Sequence, residues 1–229
     1  NILIGIAGGK GNGSIDKDTG SSTDTDSVHA ALYGSMGTKD WFVDASFIYG
    51  ISDVDSRMGV STFDTTSDYS AQNIAFYVGG GKEMQTDYLI FTPQLSMLAN
   101  SYAQDGYTEE ASNAVEREID SFDAFYLQSS LGCSMGMYIG SEEFTFKPEI
   151  RAHWLHEWIG DDENINYNLV GGTGSYNLAL QAPEKDILKI GVGAAAKFGE
   201  YLELRVDLDT RQSGSYSDYT LLGSLRYQF

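Results

Sequence analysis

Tyr201-Leu-Glu-Leu-Arg-Val-Asp-Leu-Asp-Thr-Arg211 alternates without a break. Leu202, Leu204, Val206 and Leu208 fall on one side, and Glu203, Arg205, Asp207, Asp209 and Arg211 on the other. A period of two marks a strand, here with one apolar face and one charged face. After Gly214-Ser215 the alternation resumes, with Tyr219, Leu221, Gly223, Leu225, Tyr227 and Phe229 opposite Thr220, Ser224, Arg226 and Gln228. The sequence closes on an aromatic residue rather than a polar tail of the kind that frays into water. Residues Glu200 to Phe229 read as the last hairpin of a membrane-spanning antiparallel β-barrel.

The same pattern recurs upstream. Residues 2–9 read as a strand, followed by a Gly/Ser/Asp/Thr loop through Asp26. Val28, Ala30, Leu32, Gly34 and Met36 alternate with His29, Tyr33 and Ser35, and a turn at 37–40 leads into Trp41, Val43, Ala45, Phe47, Tyr49 and Ile51. A loop near 53–68 precedes a strand with Ile74, Phe76 and Val78 outward, and a turn near 85–87 precedes 89–100. Residues 104–120 form an acidic loop with room for a helical turn at 109–117. Strands at 122–138 and 143–158 follow, then one with Leu188, Ile190, Val192, Ala194, Ala196 and Phe198 opposite Lys189 and Lys197. No stretch of useful length has helical periodicity, so the fold class is all-β.

Connections alternate long (10–26, 53–68, 104–120, 159–185) and short (near 38, 85, 140 and 199). Membrane barrels have this asymmetry, with long outer loops and short periplasmic turns. Residues 165–180 contain two short alternating arms around Gly171-Gly-Thr-Gly174. If they span, the strands number twelve. Their length falls short of the 9–11 residues a spanning strand needs, so the expectation is an extracellular hairpin and about ten spanning strands.

A soluble barrel would turn the apolar faces inward. Strand length and aromatic residues near strand ends (Trp41, Tyr49, Tyr88, Tyr102, Tyr138, Trp154, Trp158, Tyr201, Tyr219, Phe229) favour the membrane arrangement, as do polar faces that mix both charge signs. Fourteen Lys and Arg against thirty-three Asp and Glu, a net charge of -19, exclude a nucleic-acid partner. One cysteine, Cys133, excludes a disulfide framework or a thiolate metal centre, and no cofactor motif is present. No run of about 18 apolar residues exists for a transmembrane helix. No signal peptide is visible, and Asn1 in place of Met suggests a mature or excised piece of a longer chain.

With the strands placed, the sequence resembles the translocator (β) domain of autotransporters, the type V secretion systems of Gram-negative bacteria. The resemblance rests on Leu32-Tyr33-Gly34-Ser35 with Trp41 to Gly50, on Thr92-Pro93-Gln94-Leu95, on Lys147-Pro148-Glu149-Ile150-Arg151-Ala152-His153-Trp154, and on Leu225-Arg226-Tyr227-Gln228-Phe229. These motifs fall in the family order over nearly all of residues 1–229. The resemblance implies a twelve-stranded outer-membrane barrel that anchors and exports an N-terminal passenger, and a linker helix threading the pore. It also implies a long extracellular hairpin after the second Pro strand. On that alignment the linker helix and the first two strands would precede Asn1. Leu225, Tyr227 and Phe229 would be the signal read by the outer-membrane assembly machinery, with Gly223 one position off the usual spacing. The expected partners are the passenger, the linker helix, that machinery and the bilayer.

No catalytic or metal-binding motif stands out, so no enzymatic activity is expected. His29 and His153 fall on the lumen-facing set, where a hydrated histidine is the default, and His156 points to the opposite face. Glu149 and Arg151, two apart on one face of a strand, can pair with each other or grip a helix, and Glu203, Arg205, Asp207, Asp209 and Arg211 repeat that arrangement nearby as a lumenal charge ladder. Its plain role is to hydrate and stiffen the wall, and its sharper role is contact with the linker helix. A free-standing porin or adhesin acting through its acidic loops is the alternative function.

Overall fold

In the computed structural model, residues 1–16, 20–60, 63–112, 115–141, 143–160, 164–180, 184–214 and 217–228 are described, and all regular structure among them is β. The strands run β1 (Ile2–Asp16), β2 (Ser22–Gly37), β3 (Trp41–Val60), β4 (Phe63–Lys82), β5 (Met84–Gln85), β6 (Ile90–Gln104), β7 (Tyr107–Ala111) and β8 (Arg117–Ile119). They continue as β9 (Phe122–Gly136), β10 (Ile139–Gly140), β11 (Phe144–Ile159), β12 (Asn164–Leu169), β13 (Ser175–Ala179), β14 (Asp186–Phe198), β15 (Leu202–Gln212) and β16 (Ser217–Tyr227). The long strands form an antiparallel meander in chain order: β1, β2, β3, β4, β6, β9, β11, β14, β15, β16. Those are the ten strands expected to span.

The sheet curls strongly. Phe42 on β3 and Arg211 on β15 line one cavity of about 290 Å³. Six strand spacings separate them in the sheet order, roughly 29 Å if the sheet were flat. The enclosed side is polar and the convex side apolar. Leu221 and Val206 are 74% and 55% exposed, whereas Asp207, next to Val206, is 8% exposed. No large side chain is fully buried among the described residues, and the accessible surface is 15312 Å². A packed globular chain of this mass would show about 10,300 Å². The apolar groups that would form a soluble core therefore face outward, as a bilayer requires.

The outer face also records where the apolar band ends. On β3 the outward residues are Trp41, Val43, Ala45, Phe47, Tyr49 and Ile51, and the same face continues as Asp53, Asp55 and Arg57. On β2 Val28 gives way to Asp26 and Asp24. The band thus covers residues 41–51 of β3, the length a tilted spanning strand needs. Trp41, Tyr88 and Tyr201 are exposed at the turn end, and Trp154, Trp158 and Tyr219 at the loop end, whereas Tyr138 turns to the lumen, its ring 5.5 Å from Lys147 Nζ. Tyr102 departs from the expected girdle. It lies on the enclosed face opposite Ala124, with its ring 6.5 Å from that of Phe122. Phe229 lies outside the described residues.

The loop and helical-turn readings are revised. Segments 10–26 and 53–68, read as loops, are largely paired strand: Ser14↔Asp24 in one hairpin and Ser56↔Ser67 in the other. Ladder hydrogen bonds come from the backbone, so a paired hairpin continues through polar and glycine-rich sequence where side-chain alternation gives no sign of it. The helical turn expected at 109–117 is replaced by the ends of β7 and β8, with Glu109 directly opposite Arg117. The hairpin β12–β13 stays out of the wall, because β11 pairs directly with β14 from Phe144↔Phe198 to His156↔Asp186.

That hairpin joins a second small sheet above the band. β12 pairs with β8, β8 with β7, and β7 with the upper part of β4. Tyr107, Ile119, Tyr167 and Tyr176 form one row across this canopy. Tyr69 stacks on Tyr107 at 4.5 Å, Tyr167 on Tyr176 at 5.4 Å, and Arg117 sits 5.8 Å from the Tyr167 ring. Burial, aided by the Glu109 carboxylate, pushes the Tyr107 hydroxyl up to about 12.

Candidate functional site

The charged half of the lumen wall is made by β11, β14 and β15. Their enclosed-face residues lie in rows fixed by the strand register. Moving up from the turn end, the rows are Lys147, Ala195, Arg205; then Glu149, Gly193, Asp207; then Arg151, Gly191, Asp209; then His153, Lys189, Arg211. The layers therefore run cationic, anionic, mixed and cationic.

Arg151 is the hub. Its Nη1 donates to Glu149 Oε1 at 3.1 Å and to Asp207 Oδ1 at 2.5 Å, and its Nη2 donates to Asp209 Oδ1 at 2.9 Å. Arg205 closes the lower side: Nε donates to Asp207 Oδ2 at 2.7 Å, and Nη2 to Asp207 Oδ1 at 3.0 Å and Glu149 Oε1 at 3.1 Å. Lys147 Nζ stands 3.4 Å from Glu149 Oε2, and Lys189 Nζ 3.1 Å from Asp209 Oδ2. The side chains of Arg151, Glu149 and Asp207 are only 13%, 10% and 11% exposed. Ions this enclosed persist only when paired and hydrogen-bonded, and each carboxylate here meets at least two cations.

Glycine makes the lattice possible. A Cβ at Gly193 would collide with Asp207 Oδ1, and one at Gly191 with Asp209 Oδ1. Both carboxylates lie flat on the β14 backbone, where Arg151 reaches them from the far side.

Of the residues expected from sequence, the structure brings Glu149, Arg151, Arg205, Asp207 and Asp209 into one network. Glu203 lies one row below and faces Arg226 at 3.8 Å. Arg211 lies in the uppermost row, outside the network. Lys147 and Lys189 also belong to the network, although neither is among the site residues expected from sequence. Their alternation with Glu149 and Arg151 was a visible signal, but which carboxylate each one meets depends on strands far apart in sequence.

The histidines separate as their positions suggested. His29 Nε2 lies 3.0 Å from Ser27 Oγ, and the ring covers Gly50. His153 Nδ1 lies 3.4 Å from Ser130 Oγ. Neither has a hydrogen-bonded carboxylate among the described residues, which a serine–histidine relay needs to orient the ring. His156 is on the outer face between Trp154 and Trp158, with Nδ1 2.9 Å from Asp186 Oδ1. The indole of Trp154 donates to the same carboxylate at 2.8 Å.

Below the lattice, at the turn end, Lys147, Lys197, Glu203 and Arg205 line a cavity of about 750 Å³ with Tyr138 and Thr145. Wall and cavities together form a surface that carries both charge signs in fixed positions, with the cations gathered at its lower and upper rows.

Comparison with known proteins places this architecture. The fold is similar to the translocator domain of autotransporter NalP from Neisseria meningitidis, at TM-score 0.79 and 16% identity over 100% of this chain and 76% of that one. It is also similar to the β domain of the Bordetella autotransporter BrkA, at TM-score 0.76 and 17% identity over 100% and 84%. The transport unit of autotransporter AIDA-I from Escherichia coli matches at TM-score 0.69 and 16% identity, over 100% and 76%. No curated protein matches the chain by sequence. The family model described as the autotransporter beta-domain matches residues 1–209. The chain therefore belongs to the autotransporter β-domain family and is an outer-membrane barrel of Gram-negative type.

Proposed function

We propose that this barrel anchors an N-terminal passenger and moves it to the cell surface. A linker helix lies in the lumen against β11, β14 and β15. The observation that carries this reading is the pairing lattice of Lys147, Glu149, Arg151, Arg205, Asp207 and Asp209, placed on the enclosed wall of an autotransporter-family barrel. It offers both charge signs in fixed positions to a polar helix face.

Further strands and the linker helix upstream of residue 1 complete the barrel in this reading. Support comes from the 76% to 84% of the three translocator chains that this chain covers. On the last strand, Leu225 and Tyr227 project from the outer face, where the outer-membrane assembly machinery would read them together with Phe229.

The test uses the full-length protein in its own outer membrane. Protease applied to whole cells should shave a passenger that stays inside when β14–β16 are deleted. A gene in which a signal peptide leads straight into the barrel would sink this reading. Function would then move to the canopy and the acidic face of Asp24, Asp53, Asp55 and Asp68, the face that favours a free-standing barrel.

A further inference from the structure

The uppermost row of the charged wall is built differently from the rows beneath it. Lys189 and Arg211 stand directly opposite each other on β14 and β15, and His153 stands opposite Lys189 on β11. Like charges directly opposed across a sheet repel, so such a pair needs an anion nearby. The lattice beneath it supplies only part of one. Asp209 accepts from Arg151 through Oδ1 and meets Lys189 through Oδ2, while Glu149 and Asp207 are held by Arg151, Arg205 and Lys147.

Arg211 has no carboxylate within 4.0 Å among the described residues. Asp218, opposite it on β16, makes no such pair, and its Oδ1 is buried without a hydrogen-bond partner. Arg211 instead lines the mid-lumen cavity of about 290 Å³, together with Arg151, Lys189, His153, Ser130 and Gln128. Among the described residues no carboxylate lines this cavity, in a chain whose net charge is -19.

We propose that this row is a binding site for an oxyanion, a carboxylate or phosphate group, gripped by Arg211 and Lys189 beside His153 and Ser130. Arg211 supplies a planar fork that matches two oxygens of such a group, and Lys189 a point charge. Lysine and arginine rings select anions in other pores by the same means. The oxyanion comes either from free solute or from an acidic side chain of a segment lying in the lumen. Only the second source rests on the linker-helix reading.

Purified full-length protein in planar bilayers distinguishes the two sources, with inorganic phosphate as probe and passenger display on whole cells scored separately. If free anion is the ligand, phosphate blocks the wild-type current. Arg211→Gln then raises the half-blocking concentration about tenfold, as loss of one charge-assisted contact implies, and Arg211→Lys restores part of it. If a seated carboxylate is the ligand, wild-type current is low and insensitive to phosphate. Arg211→Gln or Lys189→Gln, but not Arg211→Lys, then opens a steady current and lowers the temperature at which the lumen segment becomes accessible to protease. Phosphate-insensitive current that is the same in wild type and in both glutamine variants overturns the site. Failed display with phosphate block intact would instead remove the translocator reading and leave the site standing.

Discussion

Along β2, β4, β6 and β9 the enclosed wall is filled by Ser35, Tyr33, Tyr77, Asn73, Gln94, Ser96, Ser130 and their neighbours. From β1 to β9 only Asp44 carries a formal charge on the lumen-facing positions of the long strands. Along β11, β14 and β15 the equivalent positions hold Lys147, Glu149, Arg151, Lys189, Lys197, Glu203, Arg205, Asp207, Asp209 and Arg211. The backbone is the same antiparallel ladder in both halves. What differs is how far each side chain depends on its neighbours. A serine or tyrosine in a wet lumen can exchange a protein partner for water at small cost. A half-enclosed carboxylate that touches two guanidinium groups cannot. One half is therefore tolerant filler, and the other is a lattice in which each member holds the next.

The sharpest way to break this contrast is to remove the hub. Arg151→Ala leaves Glu149, Asp207 and Asp209 facing one another with Arg205, Lys147 and Lys189 in partial compensation, and should cost about 3 kcal/mol. Ser46→Ala on the neutral wall should stay within ~0.5 kcal/mol. Urea unfolding of the full-length protein in lipid vesicles, followed by tryptophan fluorescence, measures both. Equal losses would mean that the lattice is ornamental.

Moving a charge by one residue tests whether the charges belong only inside. Val206→Arg places a cation mid-band on the lipid face of the strand that carries Arg205 and Asp207, and should cost about 2–4 kcal/mol in the same assay. A comparable charge change at Asp55, above the band, should be close to neutral.

The glycine platform gives a smaller effect. Gly193→Ala drives a methyl group into Asp207 and should cost about 1–3 kcal/mol as the network shifts. In Gly8→Ala the new methyl would meet only the His29 carbonyl oxygen, at 3.6 Å, so little change is expected. Similar losses at both sites would show that strand propensity, and not the lattice, sets the requirement.

The smallest effect lies above the membrane, where neither wall reaches. Asp55 is held above the usual carboxylate range, chiefly by its hydrogen bond with Asp68, and Asp64 below it by its hydrogen bond with Arg57. A raised carboxylate favours the folded hairpin in its protonated form, so that stability is present at low pH and fades as pH rises through the raised value. A depressed carboxylate works the other way, and its contribution is lost as pH falls through the lowered value. As pH drops from neutral, amide protection at the β3–β4 tip should first increase and then decline. Hydrogen exchange corrected for intrinsic rates reads both phases, and Asp68→Asn should remove the first.

Much of this was legible in the residues. Alternation in 201–211 and 143–158 identified the strands, their two faces and the lumenal side of Glu149 and Arg151. Two short arms around Gly171 to Gly174 were recognisable as a hairpin too short to span. The paired arms in 10–26 and 53–68 were not legible, because their ladder bonds are made by backbone and their side chains are Gly, Ser, Asp and Thr. The inward turn of Tyr102 was hidden as well. An aromatic residue near a strand end reads as a girdle until register shows that it lies opposite Ala124.

By itself the sequence determined the period, and with it which residues share a face, because neighbours two apart in an extended chain must point the same way. Tertiary structure decided which rows stand side by side. Arg151 and Asp207 are 56 positions apart and meet only because β14 holds β11 and β15 in one register. A slip of one residue in any of those strands would turn that strand's lumenal charges toward lipid. The same register puts Arg211 opposite Lys189 on one side and Asp218 on the other, with no carboxylate among the described residues within 4.0 Å of it. Like the glycines that let the carboxylates lie flat, that consequence belongs to strand packing and not to any local pattern.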